Sequence, residues 1–130
     1  MIDVETKVFN RVYPKVAPLC AKNRFVSTRI TGGTAFPACS MVEISNRVIR
    51  RFMDSSRQEK FNLITYDLNF YAMNRSDCRK LASAADEAMI DLNFTRISGQ
   101  FIDNPFDLKV SRYVSRFEAM VDENGVLYRS

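Results

Sequence analysis

Residues 64–72, ITYDLNFYA, alternate strictly: Ile64, Tyr66, Leu68, Phe70 and Ala72 fall on one side of an extended chain, and Thr65, Asp67 and Asn69 on the other. A strand of period two with one apolar and one polar side belongs in a sheet that is packed on one face and wet on the other. Downstream, Asn74-Arg75-Ser76 turns the chain, with Ser76 as the expected cap of a helix. In that helix Cys78, Leu81, Ala82, Ala85, Met89 and Leu92 recur at helical spacing and face the sheet. Its opposite face carries Asp77, Arg79, Lys80, Asp86, Glu87 and Asp91, and Asn93 is a stop signal. Phe94 to Ile102 reads as a further strand, broken by Gly99 and closed by Asp103-Asn104-Pro105. Ser111 to Val121 points Tyr113, Phe117, Ala119 and Val121 inward and Arg112, Arg116 and Glu118 outward. Asp122-Glu123-Asn124-Gly125 is a tight-turn sequence that folds Val126 to Tyr128 back on the chain.

Upstream, FPACSMVEIS (residues 36–45) predicts a strand entered through Pro37, with Val42 and Ile44 on one face and Glu43 and Ser45 on the other. Residues 46–60, NRVIRRFMDSSRQEK, then form the tip of a long hairpin. Phe25 to Ile30 predicts a short edge strand followed by a loop at Thr31-Gly32-Gly33-Thr34. At the N-terminus Val4, Val8, Val12 and Val16 line one helical face, with Asp3 placed to cap it. Pro14 and Pro18 predict a kink, or two short helices ending near Lys22. The order α-β-β-β-α-β-β gives the α+β class: an antiparallel sheet of four to five strands with two helices packed on one face.

The chain has 130 residues, enough for a single domain that buries roughly two-thirds of its unfolded surface. It contains no histidine, which removes the usual triads, His-ligated zinc and the commonest general base. Cys20, Cys39 and Cys78 lie at spacings that match no metal-ligand pattern, so reduced, mostly buried thiols are expected. MIDVETKV is no signal sequence, and nowhere do about 18 apolar residues run together; a soluble protein made in the cytoplasm, without membrane contact, is expected.

The net charge of +4 is unevenly spread. Residues 1–60 hold 11 Lys/Arg against 5 Asp/Glu, and residues 61–130 hold 8 against 10, so the halves carry +6 and −2. That dipole suits head-to-tail contact between identical copies as well as it suits an anionic ligand. Thr31-Gly32-Gly33-Thr34 lacks the Lys and hydroxyl that a phosphate-binding loop needs. Asp86 with Glu87, and Asp122 with Glu123, are adjacent pairs whose side chains point apart, so neither forms a general acid/base couple. Cys39 has no histidine to activate it. Neither catalysis nor a cofactor is expected. The basic hairpin, with Arg47, Arg50, Arg51, Arg57 and Lys60 around Asp54 and Glu59, is the one constellation with force. It reads first as a protein-contacting arm, then as a solvated hairpin, and last as a nucleic-acid contact, since it has one aromatic residue and no RNA-binding signature.

Taken in order, VETKVFNRV (4–12), FPACSMVEIS (36–45), the polar hairpin, ITYDLNFYAMN (64–74), LASAADEAMIDLNFTRISG (81–99) and YVSRFEAMVDENGVLYR (113–129) resemble the tail-terminator, or tail-completion, proteins of long-tailed bacteriophages. The likeness covers nearly the whole chain as one domain, residues 1–130. It lies in spacing and strand character, not in a catalytic signature. It implies a non-enzymatic virion subunit, without cofactor, that assembles as a homo-oligomeric ring, usually a hexamer, on the last ring of the tail tube. Such a ring stops tube growth and offers a joint to the head connector, so the implied partners are further copies of the chain, the tube protein and a connector or neck protein. DNA would pass only in transit. Head-tail joining or neck adaptor proteins are the related alternative, and a small basic nucleic-acid-binding module the competing class. On the physical reading, the five hairpin cations dock on an acidic surface of a neighbouring subunit or of the tube. Asp86, Glu87 and Asp91 are one candidate acceptor.

Overall fold

The computed structural model describes residues 3–20, 25–26, 36–48, 61–102 and 110–129. In chain order they form α1 (Glu5–Val16), a 3₁₀ turn (Ala17–Leu19), β1 (Phe25–Val26), β2 (Ala38–Val48), β3 (Phe61–Ala72), α2 (Arg75–Asp91), β4 (Thr95–Ile102), β5 (Ser111–Asp122) and β6 (Leu127–Tyr128). The sheet runs β1-β2-β3-β5-β4, with β6 paired to the end of β5. All pairings are antiparallel except β1 with β2, which is parallel over Phe25–Cys39 and Val26–Ser40. Residues 27–37 supply a link too long for a tight hairpin, which is what a parallel neighbour requires. The α+β expectation holds.

The alternation of β3 does what its sequence dictates. Ile64, Tyr66, Leu68, Phe70 and Ala72 are all buried, and they face the helices together with Cys39 and Met41 of β2 and Phe117, Ala119 and Val121 of β5. From the other side α1 contributes Val8, Val12 and Val16 and α2 contributes Cys78, Leu81, Ala85, Ala88 and Met89. Glu43 continues the helix-side row of Cys39 and Met41 and pairs with Tyr66, and β2 carries a bulge between Glu43 and Ser45. Ile44 is the extra residue, and it is exposed.

Four boundaries differ from the sequence reading. Asn74, not Ser76, caps α2: its Oδ1 accepts the Asp77 N–H at 2.8 Å, while Ser76 already lies inside the first turn. Asn74→Ala is therefore expected to cost about 1 kcal/mol, read as a fall in thermal midpoint that Ser76→Ala does not reproduce. The helix α1 runs through Pro14 and gives way to the 3₁₀ turn only at Pro18. Pro14 removes the bond to the carbonyl of exposed Asn10, on the side away from the buried valines, so the apolar seam continues to Val16. β2 extends to Val48, so Arg47 stands in the strand, and residues 49–60 of the expected tip lie outside the described residues. β4 is not interrupted at Gly99, which pairs with Ser115 inside the strand. A Cβ there would collide with the Tyr113 hydroxyl, so glycine makes room for the Tyr113 ring between Phe70 and Phe101.

The expected stops are in place. Asn93 takes the left-handed conformation (φ 69°) at the end of α2, the Phe94 N–H reaches back to the Met89 carbonyl at 3.0 Å, and Asn93 Nδ2 donates to the Leu127 carbonyl at 3.1 Å. In the last turn Asp122 Oδ1 accepts the N–H groups of Asn124 and Val126, both at 2.9 Å, and Oδ2 accepts the Tyr128 hydroxyl. The Val126 N–H first, then the Asn124 N–H and the Tyr128 hydroxyl, hold the Asp122 carboxyl below its ordinary range. The loop at Thr31–Thr34 and the far end of the predicted Phe25–Ile30 strand lie outside the described residues.

Candidate assembly interface

Cys20, Cys39 and Cys78 are unbridged; burial pushes Cys20 and Cys78 each up to about 11 and raises Cys39 well above its ordinary value. Among the described residues no group of three His, Cys, Asp or Glu side chains is arranged to hold a metal ion. No described helix is long and apolar enough to cross a membrane. A shallow open cleft between Asp3, Val4, Thr6, Lys7, Asn124 and Gly125 has its one cation occupied, since Lys7 Nζ donates to the Gly125 carbonyl at 2.9 Å.

The three candidate acceptor carboxylates lie on α2, but each already faces a cation of the same chain. Glu87 is 3.5 Å from Lys15 of α1, Asp91 lies 3.9 Å from Lys15 and 4.0 Å from Arg11, and Asp86 is 3.9 Å from Arg96 of β4. The acidic stripe therefore joins α1 and β4 to α2. Solvent-exposed pairs of this kind contribute little stability each, but they do lower the stripe's field toward an incoming basic arm. Of the five hairpin cations, Arg47 is exposed near the end of β2; Arg50, Arg51, Arg57 and Lys60 lie outside the described residues.

The sheet face turned away from the helices is laced across strands. Arg116 grips Asp67 with two bonds, Nε to Oδ1 at 2.8 Å and a terminal nitrogen to Oδ2 at 3.1 Å. Arg112 donates twice to Asn69 Oδ1, at 3.2 and 2.8 Å. The cations that do not meet a carboxylate gather elsewhere. Arg75 and Arg79, at the start of α2, both lie over the Phe101 ring of β4, 4.5 and 5.4 Å from its centroid.

Three carboxylates of separate segments come together near β2. Glu43 on β2 accepts the Tyr66 hydroxyl at 3.3 Å, and Asp3 and Glu5 at the start of α1 add their negative charges to its surroundings. Burial is the first cause that raises the Glu43 carboxyl, the Tyr66 bond opposes it, and Glu5 and Asp3 push it further up. Neither Glu5 nor Glu43 meets a cation of the described residues. Sequence reading missed both groups because each is assembled from separate segments: residues 3, 5 and 43 in one, and 75, 79 and 101 in the other.

No family model matches the chain, and no curated protein matches it in sequence. In three dimensions it is similar to a chain from the virion of a native gene transfer agent particle, with a TM-score of 0.60 and 11% identity over 88% of this chain and 91% of that one. At that identity the likeness is one of fold, and it covers nearly the whole of both chains.

Proposed function

We propose that this chain is a virion structural protein of a phage-type particle, which forms a ring on the end of the tail tube, ends tube growth and provides the joint to the head connector. The observation that carries the reading is the near end-to-end likeness to a chain of an assembled gene transfer agent virion. The resemblance of the sequence to tail terminators supplies the finer role, and a hexamer is the ring it implies.

The chemistry of the chain favours a subunit over an enzyme. Its thiols stay protonated at neutral pH, and its α2 carboxylates are engaged with cations of the same chain. The basic hairpin acts as an arm that reaches a neighbouring subunit or the tube. Its cations set register and the rate of assembly more than affinity.

The test is electron microscopy of purified tail tubes and of growing tube protein with and without this protein. A ring at one end of each tube, with elongation halted, is the expected result. Tubes that bind nothing and lengthen unchecked would remove the reading. Binding to head connectors without tube ends would move the chain to the neck.

A further inference from the structure

We draw no further inference here: the strongest candidate, the outer edge of β4, which is exposed from Thr95 to Gln100 and bears no partner strand among the described residues, carries nothing because no feature of the structure shows what covers it.

Discussion

Tyr66→Ala is expected to remove about 3–5 kcal/mol of folding stability, the range for deleting a buried aromatic ring. Tyr66 is fully buried on the central strand β3, its ring meets Phe94 edge to face at 5.8 Å, and its hydroxyl donates to Glu43. A loss of that size is a large share of the about 5–15 kcal/mol that holds a domain together. In urea the midpoint should fall steeply with the slope unchanged. A midpoint within experimental error of wild type would show that the ring is not a core element. Tyr66→Phe keeps the ring and drops only a long hydrogen bond, so its cost should stay near or below about 1 kcal/mol. Its signature is in the pH dependence. Glu43, flanked by Asp3, Glu5 and the Tyr66 hydroxyl, has its pKa raised in the fold, with burial as the first cause. A carboxyl raised in this way contributes stability that is fully present below its unfolded pKa of about 4.3 and lost as pH rises through the folded value. The Tyr66 bond partly offsets that shift, so Tyr66→Phe should carry the loss to higher pH. Glu43→Gln should abolish it and leave the subunit slightly more stable at neutral pH. A Glu43→Gln profile identical to wild type would contradict the assignment.

The parts of the fold that could be read from sequence are those with local causes. The alternation of residues 64–72, the valines at 4, 8, 12 and 16, Asn93 as helix stop and the Asp122–Gly125 turn each act within a few residues, and each stands where the pattern puts it. What escaped depends on contacts far apart in sequence. The break expected at Gly99 is absent because Tyr113 occupies the space a side chain would need. The bulges at Ile44 and Ile97 follow from register against β3 and β5, which no single strand encodes. The acidic α2 stripe was correctly placed on the surface side of the helix. That it faces Lys15, Arg11 and Arg96 depends on how α1 and β4 dock. Charge counted by halves of the chain had the same defect. It found a dipole along the sequence and could not see the pairs that α1, α2 and β4 make in space.

Replacing residues 49–60 by a four-residue glycine-containing turn is expected to leave the subunit folded and to slow its assembly at least tenfold at low salt. The strands need no help from the tip, since β2 and β3 are paired from Ala38–Tyr71 to Val48–Asn62. Shortening the connection lowers the entropy lost in closing it, worth about 1 kcal/mol by the logarithmic dependence on loop length. The thermal midpoint should therefore hold or rise. The replacement removes Arg50, Arg51, Arg57 and Lys60 with Asp54 and Glu59, so the net charge falls from +4 to +2. Long-range attraction between unlike patches speeds encounter by about 10- to 1,000-fold and is screened by salt. The deficit should thus shrink as ionic strength rises, and the rings formed at the end should match wild type in size. Loss of the arm thus changes how fast copies meet and not whether the ring closes. A shortened chain that assembles and caps tubes at the wild-type rate would reduce residues 49–60 to a mere connection.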